Sequence, residues 1–297
     1  MRVNLEMKRI IHNVQKMAIR FYLDNGLDKY LLISKMPFVL SINRRIRRNT
    51  TPKIVNVLGH KMYLDDLDTL HLAINGVWEP LETNLVKNTI KEGDVVLNIG
   101  ANIGYYTLLA ARLVGPKGKV YAFEPDKTNF EIIKKNIRIN NYENIIPVNK
   151  AVLNKTGKAK LYLSTENKGS HRIYQAGDSR KYVEIDVVSI DDFFKNKEDK
   201  VDFILMDIEG SEAKAFEGMK KVLRKNKKVK ILTEFWDWAI EKAGDDSQKF
   251  IEEIVKTGFK ISYMDEDLKK LVPIKKDEVI SKLKEHKRDA LNLFLSK

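Results

Sequence analysis

Apolar residues fall in short unbroken runs at 95–98, 120–124, 145–149, 203–207 and 229–234, and stretches of helical period fill the gaps at 103–113, 127–140, 211–224 and 247–256. Runs of that length suit strands buried on both faces. Their alternation with amphipathic helices predicts an α/β fold, a largely parallel sheet with crossover helices. Two extra strands are expected at 158–164 and 183–188, joined by a polar loop from Thr165 to Lys181. A charged helix at 276–286 and a final strand at 290–295 complete the pattern. Ahead of the sheet, 54–64 alternates around Gly59 as a hairpin and 81–90 suits a helix.

The first 53 residues are patterned differently. Ile10, Ile11, Val14, Met17, Ala18 and Phe21 recur at helical spacing among Lys8, Arg9, Lys16 and Arg20, which predicts an amphipathic basic helix. A second apolar stretch at 30–42 runs into Arg44, Arg45, Arg47 and Arg48. Pro52 ends the arm, because the residue before a proline is biased toward extended structure. The expected organisation is a basic helical arm at 1–53, a hairpin and helix entry segment at 54–91, and the main domain at 92–297.

Charge sharpens that division. The arm holds twelve basic and three acidic residues, a net +9 of the whole chain's +13. Combined with an apolar stripe, this suits peripheral contact with an anionic membrane, while a helical pair packed on the main domain would use the same residues. Nucleic acid is an unlikely partner, since neither aromatic–basic interleaving nor a nucleic-acid motif accompanies the charge. The absence of cysteine excludes disulfides, Cys-ligated zinc, iron–sulfur clusters and a thiol nucleophile. No run reaches the roughly 18 to 20 apolar residues of a membrane span, so the expected location is cytoplasmic, with membrane association through the arm.

Candidate chemistry begins with Asn98-Ile99-Gly100-Ala101-Asn102-Ile103-Gly104, which follows a buried strand and opens a helix, where α/β sheets bind nucleotide-like ligands. A dinucleotide fingerprint needs glycine where Asn102 stands, and a P-loop needs Lys-Ser/Thr where Tyr105-Tyr106 stand, so both phosphate readings lose. The second run ends Phe123-Glu124-Pro125. This puts an acid at a strand end where it could accept from two ribose hydroxyls, or else cap the following helix. A third cluster, Asp207-Ile208-Glu209-Gly210-Ser211-Glu212, follows the fourth run, and Glu234 ends the fifth before Phe235-Trp236-Asp237-Trp238. Neighbouring strand ends would bring Asp207 and Glu234 into one cleft.

These three motifs, in this order, resemble the FkbM family of S-adenosylmethionine-dependent class I methyltransferases, over about residues 59–295. The resemblance implies a Rossmann-like sheet of about seven strands with the last antiparallel, and S-adenosylmethionine lying across the strand ends. By motif position it implies that Gly100 and its neighbours Asn98, Ala101, Asn102 and Gly104 contact the methionine part. Glu124, held by Pro125, would meet the ribose, and the segment containing Ala151 would border the adenine. The family usually has Asp where Asn98 stands and often Lys where Leu205 stands.

On the acceptor side, Asp207, Glu234 and His171 are the catalytic candidates, His171 as a general base from the polar loop. Glu209, Glu212 and Trp236 are substrate-binding candidates. Trp236 and Trp238, if extended, would point to opposite faces, one stacking on a sugar ring. No metal ligands are assigned; a divalent ion shared by Asp207 and Glu234 is possible but nothing in the sequence supports it. The implied function is O-methylation of a hydroxyl on a small molecule, glycan, lipid-linked glycan or natural product. A non-catalytic ligand-binding protein on the same scaffold and an RNA methyltransferase are the alternatives.

Overall fold

The computed structural model describes residues 52–165, 167–286 and 289–297. The basic helical arm read from the sequence therefore lies outside the described residues, apart from Pro52 and Lys53. The described residues separate after Trp78 into two compact units.

In the first unit, strands β1 (Ile54–Val57) and β2 (His60–Tyr63) pair antiparallel with Val57 opposite His60. The acidic turn that follows is structural. Asp65 accepts from the Leu67 and Thr69 N–H groups, and Asp68 from those of Leu72 and Ala73, which start the short helix α1 (Leu72–Asn75).

The second unit opens with α2 (Pro80–Thr89), whose proline occupies the first turn, where a missing N–H costs nothing. Then come β3 (Val95–Ile99), α3 (Tyr105–Val114), β4 (Lys119–Phe123), α4 (Lys127–Ile139) and β5 (Ile145–Val148). Strands β6 (Ala151–Val152), β7 (Gly157–Tyr162) and β8 (Tyr182–Val188) follow, then α5 (Ile190–Phe193) and β9 (Phe203–Met206). The chain continues through α6 (Glu212–Glu217), α7 (Lys220–Lys225), β10 (Lys230–Phe235), α8 (Asp237–Lys242) and α9 (Ser247–Lys256). It ends with β11 (Lys260–Asp265), β12 (Lys270–Pro273), a 3₁₀ turn at Lys276–Glu278, α10 (Val279–His286) and β13 (Leu291–Ser296).

The main sheet has the order β12-β11-β13-β10-β9-β3-β4-β5. From β5 to β10 every pairing is parallel, and β13 pairs antiparallel with both β10 and β11. The sheet thus has eight strands rather than the expected seven, because β12 turns back on β11 as a hairpin at the edge. All five residues of β3 are buried, as a central parallel strand requires. Leu97, Ile99, Phe123, Ile204, Met206, Ile231 and Phe235 join one core with the helices, each worth about 1.5–3 kcal/mol on burial.

The extra strands form their own three-stranded sheet, β6-β8-β7, over a second apolar cluster. The single helix expected at 211–224 is split into α6 and α7. Gly218 at the break packs so tightly on Leu153 that a Cβ there would sit 2.2 Å from that residue's carbonyl oxygen, and the chain bends to keep the contact. Among the described residues no helix is long and apolar enough to cross a membrane.

Candidate functional site

The sheet switches direction between β3 and β9, its neighbour on the other side, and the two strand ends carry the first and third motifs. After β3 the chain turns through Gly100 (φ 83°) and Asn102 (φ 51°) into α3, with Gly104 (φ 95°) at its start. Gly104 is required by its left-handed backbone and not by close packing, since a Cβ there would meet Ile133 at an ordinary 3.5 Å. Gly100 is required on both counts, for its Cβ would lie 1.9 Å from the Asp207 carbonyl oxygen.

Three of the turn's N–H groups are already committed. Those of Gly100 and Ala101 donate to the Phe123 carbonyl at 3.0 and 2.9 Å, and that of Asn102 to Glu124 Oε2 at 2.8 Å. These three are therefore not available to cradle a phosphate. Glu124 is buried, and its Oε1 accepts from the Asp126 N–H at 2.9 Å. Burial raises its pKa to about 8, against the pull of those two N–H bonds. Helix α4 is capped by Asp126, which accepts from the Asn129 N–H, so Glu124 is spared for a ligand. Asn149 donates to the Glu124 and Pro125 carbonyls and pins the next strand end beside them.

Asn98 is buried in β3 and its Nδ2 donates to Thr107 Oγ1 at 2.8 Å, so that half of its amide is spent inside the strand–helix junction. Ala151 is buried in the apolar cluster of the small sheet, beside the end of the β5 strand. S-adenosylmethionine fits what the turn does present. Asn102 Oδ1 is a buried acceptor without a hydrogen-bond partner among the described residues. Glu124, which also takes a bond from the Asn129 side chain, keeps acceptor capacity because each carboxylate oxygen can accept more than one bond.

Beyond Gly100 lies a concentration of acids. Single oxygens of Asp207, Glu212 and Glu234 lie within 4.8 Å of one another. Asp207 is exposed at the end of β9, and desolvation by its surroundings raises its pKa to about 6. Glu212 is fully buried; Oε1 accepts from the Ile208 N–H at 2.9 Å, and Oε2 has no partner. Burial pushes Glu212 up to about 8, opposed by the N–H groups of Ile208, Glu212 and Gly210. Burial, then repulsion from Asp207 and Glu212, raises Glu209 to about 8, and the same causes hold Glu234 well above the usual carboxylate range.

Sequence reasoning missed Glu79, whose Oε2 accepts from the buried Tyr106 hydroxyl at 3.0 Å and whose pKa is raised to about 8 by burial, then by Asp207 and Glu82. Its only local signal is the Pro80 that follows it. Glu79 and Glu209 both hold left-handed backbones, φ 42° and 56°, at a cost of about 1 kcal/mol or more each, as is common where a site dictates the chain path. Tyr174, also missed, feels Glu209 and Glu212 from the polar loop.

His171 is not brought to this cluster. Its electrostatic neighbours are Asp126, Arg180 and Lys168, and burial lowers its pKa. Its Nδ1 accepts from the Ser164 N–H at 3.0 Å, which leaves the ring proton on Nε2 and makes the free edge a donor. In this arrangement His171 holds the polar loop through its bond with Ser164. Trp236 and Trp238 do not point to opposite faces, because β10 ends at Phe235 and the helical turn of α8 stacks their rings at 5.3 Å and 29°.

Among curated proteins, the chain is 34% identical over 133 residues to a protein named probable cobalt-precorrin-6B C(15)-methyltransferase (decarboxylating) from Saccharolobus solfataricus, covering 45% of this chain and 64% of that one. It is 36% identical over 59 residues to protein-L-isoaspartate O-methyltransferase 1 of Archaeoglobus fulgidus, 20% and 27% of the two chains. The matched regions span less than two thirds of either relative. A solved S-adenosylmethionine-dependent O-methyltransferase from Thermotoga maritima aligns with a TM-score of 0.44 at 13% identity, over 85% of this chain and 80% of that one. Residues 98–261, more than half of the chain, match the methyltransferase FkbM domain and contain all three motifs described above. The chain belongs to the FkbM family of S-adenosylmethionine-dependent methyltransferases.

Proposed function

We propose that the protein moves the methyl group of S-adenosylmethionine to a hydroxyl oxygen of a glycan, a lipid-linked glycan or a related small molecule. The observation that carries this reading is the contact of Asp207 with the Gly100 turn, which joins the acid cluster to the cofactor turn in one cleft. When bound, the cofactor supplies an electrophilic methyl carbon on a sulfonium. Gly100, Asn102 and Glu124 hold its methionine and ribose parts. Asp207, with a pKa of about 6, is a carboxylate at neutral pH and accepts the hydrogen bond of the acceptor hydroxyl, orienting its oxygen. Glu234 and Glu209 surround it. The stacked Trp236 and Trp238 offer an aromatic face of the kind that sugar rings pack against, and Trp238 is exposed. The basic arm would bring the enzyme to anionic membranes that carry lipid-linked acceptors.

Incubation with S-adenosylmethionine and fractionated cell extract, read as S-adenosylhomocysteine formation, tests the reading. Turnover with a glycan or glycolipid fraction supports it. Turnover only with RNA would make the protein an RNA methyltransferase, and cofactor binding without turnover in any fraction would make it a binding protein on this scaffold.

A further inference from the structure

We propose that Asp207, Glu212 and Glu234 form a binding site for one divalent metal ion of the magnesium or manganese kind, on the wall of the cleft beside Gly100. Three observations carry it. The donor oxygens lie within 4.8 Å of one another. Ligands on opposite sides of Ca²⁺ are about 5 Å apart, which spans this spacing, and those of Mg²⁺ about 4.2 Å, so a Mg²⁺ or Mn²⁺ ion would draw the oxygens together by up to about 0.6 Å.

Glu212 is fully buried, yet its Oε2 accepts no hydrogen bond. A buried carboxylate oxygen without a partner is costly, and a metal ion is one of the few partners that satisfies it beside two other acids. Finally, among the described residues no lysine or arginine forms an ion pair with any of the three. The nearby Arg172 and Arg180 are both engaged with Asp178, and Lys214 with Asp245. When these acids ionise, their negative charge therefore lacks a lysine or arginine counterion among the described residues.

An all-oxygen donor set selects a hard cation over zinc or copper. Glu212 is held from behind by the Ile208 N–H, while Asp207 opens onto the cleft. One Asp207 oxygen would serve the ion and the other the acceptor hydroxyl. Ion positions not filled by protein would take water or acceptor oxygens. Binding of the ion itself needs neither cofactor nor acceptor, although Asp207 is shared with the acceptor side of the proposed transfer.

The test uses the full chain, stripped with chelator and titrated with Mn²⁺, with the free ion followed by electron paramagnetic resonance. One ion per chain is expected. Glu212→Gln and Glu234→Gln should weaken uptake at least about tenfold, with unchanged circular dichroism. Asp207→Asn, whose side chain opens onto the cleft and is not packed in the core, serves if a glutamate variant misfolds, and should weaken Mn²⁺ uptake while S-adenosylmethionine binding persists. Equal uptake by wild type and variants, or no uptake by wild type up to about 10 mM, above the range of weak oxygen sites, overturns the proposal. Either result leaves the cofactor reading intact, because S-adenosylmethionine binding is measured separately.

Discussion

The carbonyl oxygen of Asp207 lies so close to Gly100 that a Cβ on the glycine would stand 1.9 Å from it. The Asp207 N–H also donates to the Ile99 carbonyl at 3.1 Å. The turn after β3 and the turn after β9 are therefore one packed unit, and a change in either moves the other.

Gly100→Ala must displace the Asp207 backbone as well as adopt φ 83°. It should destabilise the protein by more than about 2 kcal/mol and weaken S-adenosylmethionine binding. Gly104→Ala, strained in φ but with room for its Cβ, should cost only about 1 kcal/mol. Urea denaturation of both variants beside wild type checks the order; equal losses would refute the packed-turn account.

Glu124 bridges the Asn102 and Asp126 N–H groups at 2.8 and 2.9 Å. Glu124→Ala should lower cofactor affinity by about 1–3 kcal/mol, as for a buried polar group left without its hydrogen-bond partner. Calorimetry with S-adenosylmethionine measures it. An unchanged dissociation constant removes Glu124 from the ribose site.

Asp207→Asn keeps the shape of the side chain and the backbone contact with Gly100. Turnover should fall by at least about a hundredfold with cofactor affinity nearly unchanged, the pattern of an interaction used mainly in the transition state. A variant that binds cofactor poorly but turns over normally when saturated would contradict the acceptor-side role.

Acidity should stabilise the ion-free protein. Glu79, Glu209 and Glu212 have folded-state pKa values near 8, against an ordinary value near 4.5. The folded state thus binds protons more tightly. The penalty for ionising these groups is absent below about pH 4.5, grows through the interval, and is complete above about 8. Half-buried His171, whose pKa is lowered, opposes the trend only below about 6.5. In chelator, the melting temperature should fall between pH 6.5 and 8, and Glu212→Gln should flatten the fall. A melting temperature that rises over this interval would show that the acids are ionised at no cost.

Full-length protein should sediment with anionic vesicles at low salt and release them at high salt, because the arm carries a net +9. Deleting residues 1–53 should abolish sedimentation while cofactor binding survives. If the full chain ignores vesicles and the truncated chain loses cofactor binding, the arm is part of the fold and the membrane reading fails.

Much of this architecture was legible in the chain itself. The parallel strands, the Gly-rich turn, the acid after β4 and the acids after β9 all rest on local rules. Continuous apolar runs must be buried on both faces, Gly100 marks a sharp turn, and carboxyl ends of parallel strands gather on one edge. Local pattern was silent where a distant group decides. The break between α6 and α7 comes from the Leu153 carbonyl pressed against Gly218. The hairpin strand β12 exists because β11 offers an edge.

The site divides the same way. That Asp207 and Glu234 come together followed from neighbouring strand ends. Only the folded chain decided that the Gly100, Ala101 and Asn102 N–H groups go to Phe123 and Glu124, that the Ser164 N–H takes Nδ1 of His171, and that Glu79 joins the acids. Hydrogen-bond partners and burial depend on residues far apart in sequence, and it is burial, not residue type, that leaves Glu212 Oε2 without a partner and holds these carboxyls above their ordinary range.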